Sequence, residues 1–308
     1  MATIPTQKRR STPGGHEHVV TGRVLDLPLV ERAAIVRSQS ASRITWHRHR
    51  RFEILLLVDG ATAYEFADGR TVEIPGGHFL VVPPEARHRG VHDIRRPAKL
   101  CGLLFDPRPR SSGKHTPLST SDLRRLAATF EAGALRPCPM NVELRRLAGV
   151  LARQLTNFDR RDPGAIVELR ITLCAALVEA ARQLTAPRIQ EPTTAVRAAK
   201  AFLDANLGRQ FGMQEVAAAA GCSRARLFHI FKQSTGLTPN DYLLRARIAR
   251  AQESLQRTTA PVTQIAMACG FSTSQYFSNV FRKYTGQTPS AFRGRDDGRN
   301  VSRPKCTT

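Results

Sequence analysis

VAAAAGCSRARLFHIFKQSTGLTP at residues 216–239 and IAMACGFSTSQYFSNVFRKYTGQTP at residues 265–289 are one pattern written twice, in register once a single extra residue is allowed after the glycine. Each copy opens with an alanine-rich run, turns at Gly221 or Gly270, offers a capping hydroxyl at Ser223 or at Ser272/Thr273, continues with an amphipathic run and stops at Thr-Gly. Small alanines let two helices cross closely and glycine supplies the turn, so the pattern predicts two helix-turn-helix units. Between them NDYLLRARIARAQESLQR reads as one long helix. Such a helix can hold two recognition helices about one duplex turn apart, roughly 34 Å.

The second helix of each copy sorts by face. A 3.6-residue period puts Leu227, Ile230 and Phe231 inward in the first, and Phe277, Val280, Phe281 and Tyr284 inward in the second. It leaves Arg224, Ala225, Phe228, His229 and Lys232 outward in one, and Ser274, Gln275, Ser278, Asn279 and Arg282 outward in the other. These groups suit DNA: Arg reads guanine, Gln and Asn read adenine, Phe packs on a thymine methyl, and Lys or Arg holds phosphate. A solvated helical bundle would show the same alternation, but it has no need to repeat turn, cap and stop.

Charge agrees with this reading. The chain carries 47 Lys/Arg against 25 Asp/Glu, a net charge of +22. Residues 195–295 hold fourteen Lys/Arg against four acids, which is +10 of that total. Such a balance favours a polyanionic partner. A structural nucleoid-type binder would fit the charge too, but would bind weakly, with strong salt dependence and no preferred sequence.

The rest of the chain reads as follows. Residues 1–18, MATIPTQKRRSTPGGHEH, form a flexible basic arm without the apolar segment of a signal peptide. Residues 19–110 hold short β-rich runs, AAIVR, EILLLV, ATAYEF, RTVEI, HFLVV and AKLCGLLF, with Asp68-Gly69 as a tight hairpin turn, which predicts a small all-β barrel or sandwich. In residues 111–185 two leucine stripes recur at helical steps, one from Leu144 through Leu147, Leu151 and Leu155 to Phe158, the other from Ile166 through Leu169, Leu173 and Leu177 to Leu184. Asp162-Pro163-Gly164 separates them, which predicts an antiparallel pair whose apolar face can pack on the β domain or pair with a second chain. Residues 186–194 are a proline-bearing linker, 195–294 the helical domain and 295–308 a polar tail. The fold class is therefore α+β in two domains. No apolar run approaches the ~20 residues of a membrane span, and the six cysteines are scattered singly as reduced thiols, so a cytoplasmic protein without membrane contact is expected.

GFSTSQYFSNVFRKYTGQTPSAFR, residues 270–293, is the most specific part of a hundred-residue segment that resembles the DNA-binding domain of AraC/XylS-family transcriptional regulators. The resemblance implies a bipartite site on double-stranded promoter DNA read by two recognition helices, in a bacterial regulator that is often an activator, works beside RNA polymerase and is usually a homodimer. His229 and Asn279 stand where many members carry arginine, and Phe228 where a polar residue is more usual, so base preference does not carry over from relatives.

WHRHRRFE, residues 46–53, opens a second constellation. His47-x-His49-x3-Glu53-x6-Gly60 resembles the first cupin motif and Gly77-x5-Pro83-x4-His88 the second, with Glu85 where that motif usually has glycine. His47 and His49 are expected to point the same way from one strand, Glu53 to follow a bend, and His88 to come from a neighbouring strand. Three imidazoles and a carboxylate suit divalent Fe, Mn, Zn or Ni, and period two turns Arg48 and Arg50 outward. The same four residues, with Arg51, can instead line a pocket for a polar or anionic effector. The resemblance implies a cupin-like sensor domain here: a small molecule enters and shifts the population of DNA-competent protein. That reading assigns no catalytic residue. The alternative is a metal-dependent cupin enzyme, of dioxygenase or isomerase type, fused to a DNA-binding module.

Overall fold

The β-rich runs pair into a nine-stranded antiparallel sheet in the computed structural model, which describes residues 10–12, 15–108, 116–185 and 194–297. The chain divides into two units, Met1–Gln190 and Glu191–Thr308. The first contains β1 (Arg10–Thr12), β2 (Gly15–Thr21), β3 (Val30–Ser38), β4 (Ser42–Arg43), β5 (Phe52–Phe66), β6 (Thr71–Pro75), β7 (His78–Val82), β8 (His88–Gly90), β9 (Ile94–Arg95), β10 (Ala98–Phe105) and β11 (Cys138–Pro139). The strand order is β1-β2-β3-β10-β5-β7-β11, with β6 and β8 on β5 and a separate β4–β9 ribbon.

β5 organises this unit. EILLLV and ATAYEF, two runs in the sequence, are one strand that bends at Gly60. Gly60 has φ 89°, and a Cβ there would lie 2.7 Å from the Pro97 carbonyl oxygen, so the bend needs glycine. Alternation then serves two cores. Phe52, Ile54 and Leu56 join Cys101, Leu103 and Phe105 against the helices, while Leu55, Leu57, Tyr64 and Phe66 join Leu80, Val82 and Leu100 on the opposite face. Each such side chain contributes roughly 1.5–3 kcal/mol by leaving water.

The helices of this unit are α1 (Gly22–Leu25), α2 (Thr120–Ala132), α3 (Val142–Thr156) and α4 (Pro163–Thr185). Both leucine stripes, on α3 and α4, are buried in the same core as the sheet, so their apolar faces pack on the β domain. α2 is an addition to the expected pair: a capping box between Ser119 and Asp122 starts it, and Leu123, Leu126 and Phe130 are its buried side. The arm expected over residues 1–18 is corrected, because β1 and the start of β2 lie within it. HEHVVT mixes polar and β-branched residues and pairs along β3 from Gly15 to Thr21; residues 1–9 lie outside the described residues. The expected linker falls on residues outside the description except Thr194, which begins a helix.

The second unit is helical: α5 (Thr194–Ala205), α6 (Met213–Ala219), α7 (Arg224–Thr235), α8 (Pro239–Arg257), α9 (Val262–Ala268), α10 (Ser274–Thr285) and α11 (Pro289–Asp297). α11 thus runs into the segment read as a polar tail. α6–α7 and α9–α10 are the two helix-turn-helix units. Ser223 caps α7, and Thr273 rather than Ser272 caps α10; Gly236 and Gly286 end both helices in the left-handed conformation. The first helix-turn-helix packs with Val196, Ala199, Leu203, Val216, Leu227 and Phe231 around the start of α8. The second packs Ile265, Phe271, Phe277 and Phe281 around its end.

Arg247, midway along α8, joins the two. It is buried, donating from Nε to the Leu207 carbonyl at 2.9 Å and from Nη2 to the Arg209 carbonyl at 2.7 Å. Its guanidinium lies 5.9 Å from the ring centres of both Phe211 and Phe271. Gln210 adds a bond from Nε2 to the Gly270 carbonyl at 3.0 Å. Among the described residues, no helix is long and apolar enough to cross a membrane.

Candidate functional site

Two sites take shape, one in each unit. On α7, Arg224, Ala225, His229 and Lys232 are exposed, and Phe228 is half-buried beside Arg224, whose guanidinium lies 5.6 Å from the ring centre. On α10, Gln275, Asn279 and Arg282 are exposed, with Ser274 and Ser278 half-buried. Gln275 Nε2 donates to Asn279 Oδ1 at 3.4 Å, which holds side by side two amides of the kind that can pair with adenine. The inward set is buried as the period requires, except Ile230, which is half-buried. Tyr276, 47% exposed, and the equivalent Arg226, also exposed, lie outside the sets sorted from the sequence. Each follows its N-cap by three residues.

In the first unit His47, His49, Glu53 and His88 converge. One ligand atom from each lies within 4.8 Å of all the others. His47 and His88 form an antiparallel bridge, exchanging backbone hydrogen bonds of 2.9 Å in both directions, and this sets their rings 4.2 Å apart. His47 and His49 therefore do not leave a regular strand as expected: His47 sits in an isolated bridge, and His49 in the turn before β5. They still share a face, with ring centres 5.2 Å apart. Glu53, near the start of β5, places Oε2 3.3 Å from His88 Nε2 and 3.8 Å from His49 Nε2. Arg48 and Arg50 are exposed as expected, although no regular strand runs through them. Arg51 is not a pocket residue: it pairs with Glu31 at 3.2 Å and with Asp106. Glu85 has φ 63°, the conformation glycine favours, and donates from its backbone N–H to the His49 carbonyl at 2.7 Å, so the turn survives without glycine.

The electrostatics fit a cation. Burial lowers His47 and His49, with neighbouring imidazoles and the Arg32 guanidinium acting in the same direction. Burial alone would lower His88 and raise Glu53, but each wins over it through the other: the carboxylate lifts His88, and the imidazoles hold Glu53 below the usual carboxylate range. Nδ1 of His47 faces the Thr45 carbonyl at 2.8 Å, and Nδ1 of His88 faces the Ala86 carbonyl at 2.9 Å. Those carbonyls fix the tautomer with the proton on Nδ1, leaving Nε2 to bind a metal. Glu53 Oε2 and His88 Nε2 are buried and, apart from each other at 3.3 Å, have no polar partner of hydrogen-bonding geometry among the described residues. Buried polar atoms so sparsely satisfied cost free energy unless something joins them, and a divalent ion satisfies both.

Comparison with known proteins follows the same division. Residues 30–173 match the model of the AraC-like ligand binding domain, and residues 216–295 that of a helix-turn-helix domain. A ligand-binding sheet domain and a helix-turn-helix domain in one polypeptide define the class. The chain belongs to the AraC family.

It is similar to the HTH-type transcriptional activator RhaR of Enterobacter sp. (strain 638), 41% identical over 93 residues, covering 30% of this chain and 33% of that protein. Its counterpart from Escherichia coli (strain K12) is 41% identical over 91 residues, covering 30% and 32%. The chain thus spans about a third of the length of the curated relatives it matches. Among solved structures, an AraC-type DNA-binding domain-containing regulator from Chromobacterium violaceum is 33% identical, with a TM-score of 0.32, covering 33% of this chain and 91% of that one.

Proposed function

We propose that this protein is a transcriptional regulator that binds promoter DNA through α7 and α10 and responds to a small-molecule effector in the sheet domain, where His47, His49, Glu53 and His88 hold a divalent metal. The carrying observation is the pair of recognition helices, equal in cap and stop, each presenting an exposed polar face. On this reading the protein works in the cytoplasm, as a homodimer beside RNA polymerase, and is not an enzyme. The metal would serve as an anchor for the effector's oxygen atoms. A cupin enzyme tethered to a DNA-binding module has one observation in its favour, the complete ligand set. Regulation is preferred because the relatives aligned with the C-terminal unit are named as activators.

A randomised-site selection tests the recognition face. Gln275→Ala is expected to relax one base position, costing about 1–3 kcal/mol there. An unchanged selected motif would remove Gln275 from the reading face.

Lys232→Ala and Arg282→Ala are expected to act differently. Each should weaken all sequences alike and reduce the slope of log K against log salt by about 1. A shift in base preference would move either residue from phosphate contact to base reading. Equal affinity of the unaltered protein for every sequence would favour the nucleoid-type binder.

A further inference from the structure

The pocket face of the sheet carries a cation, Arg32, that no described residue pairs. Arg32 on β3 lies opposite Leu104 on β10, Leu104 opposite Glu53 on β5, and Glu53 opposite Val82 on β7. Directly opposed residues project from the same side of a sheet, so Arg32 emerges on the side where Glu53 meets the histidines. Two strand spacings, about 10 Å, separate the two backbones, a gap that an arginine side chain largely bridges. Arg32 is half-buried and has no ion pair or side-chain hydrogen bond among the described residues. Nearby acids are engaged elsewhere: Glu31 by Arg51, and Asp106 by both Arg51 and Arg108. The walls are apolar or aromatic, with Val82 and Leu104 buried and Tyr64 and Phe66 each 5.6 Å from the His88 ring.

This arrangement selects a ligand charge. Three neutral imidazoles and one carboxylate around a divalent ion, with a guanidinium beside them, leave excess positive charge against apolar walls. Burying such charge is costly unless an anion joins it. Four protein donors also leave a six-coordinate ion room for oxygen atoms from outside, and a guanidinium matches a carboxylate with two parallel hydrogen bonds. We propose that the effector is a small carboxylate held between the metal and Arg32. This rests on the metal reading of the site given above.

The full chain loaded with Co²⁺ provides the test. Trp46, the only tryptophan in the sequence, adjoins His47 and reports cobalt binding by quenching; the visible cobalt spectrum reports the outside ligand. Pyruvate is the probe, and hydroxyacetone its uncharged counterpart. Pyruvate is expected to change the spectrum saturably, and hydroxyacetone not to. Arg32→Gln should weaken pyruvate by at least about tenfold without weakening cobalt binding, while Arg32→Lys should keep part of the response. Cobalt binding with no pyruvate response, with equal responses in wild type and Arg32→Gln, or with hydroxyacetone as effective as pyruvate, would overturn this proposal alone. Failure of cobalt to bind at all would overturn the metal reading and the proposal with it.

Discussion

Arg247→Leu is expected to destabilise the C-terminal unit by about 3 kcal/mol and to abolish tight DNA binding, although Arg247 is buried. Its two donors satisfy the Leu207 and Arg209 carbonyls, and hydrogen bonds to charged groups contribute about 1.5–3 kcal/mol each. Leucine keeps an apolar stem and loses the guanidinium with both bonds, so the 207–211 loop, which leads into the first helix-turn-helix unit, is released from α8. The second unit feels the loss through Gly270, where an added Cβ would fall 2.4 Å from the Leu207 carbonyl oxygen and 2.7 Å from Arg247 Nη2. Loop, long helix and second turn therefore pack as one joint, and the mutual setting of α7 and α10 depends on it. For a domain of this size a loss of that magnitude lowers Tm by more than about 10 °C. Thermal unfolding of the full chain measures it, with Arg247→Lys expected to fall between, since an ammonium cannot reach both carbonyls in the fork geometry. A leucine variant melting within about 2 °C of wild type would show that the latch contributes little.

That joint also marks where the sequence stopped being readable. Turn, cap and stop residues lie within a few positions of the helices they serve, so Gly221, Ser223 and Gly236 could be assigned from the chain alone, as could Gly270 and Gly286, with the second cap narrowed to Ser272 or Thr273. Arg247 reaches carbonyls about forty residues away, and in the sequence it counts only as one more basic residue. The sheet domain repeats the lesson. The spacing of His47, His49, Glu53 and His88 was enough to group them, but the bridge that aligns His47 with His88, and the pairing that takes Arg51 out of the pocket, arise from strands far apart in sequence. Gly15 to Thr21 pairs along β3 with too few apolar residues to announce a strand. α2 was within reach, because the Ser119-x-x-Asp122 capping box is local, but its charged face hid the spacing of Leu123, Leu126 and Phe130.

The other large effect is expected at the histidine cluster. Protein purified without a His-tag or chelator should carry about one divalent ion per chain, on the four-donor set that such ions prefer. His47→Ala/His88→Ala should lower metal affinity by more than about 100-fold, since losing even an outer partner of a metal ligand costs 10–100-fold. Stability should follow by linkage: metal at a hundred times its Kd adds about 2.7 kcal/mol to the wild type and close to nothing to the variant. The two substitutions differ in the metal-free protein. His88 is fully buried beside Glu53, so its removal strands a carboxylate and costs about 1–3 kcal/mol by itself. His47 is half-exposed, and His47→Ala alone should lose metal at little cost in metal-free stability. Elemental analysis and metal-dependent melting of the wild type, both single variants and the double variant separate these contributions. No metal in the wild type, and no shift in melting with added Mn²⁺, Fe²⁺, Ni²⁺ or Zn²⁺, would turn the same four side chains into polar lining for an organic effector. Glu53 Oε2 and His88 Nε2, which have only each other, would then be the atoms that the effector's own donors and acceptors must meet.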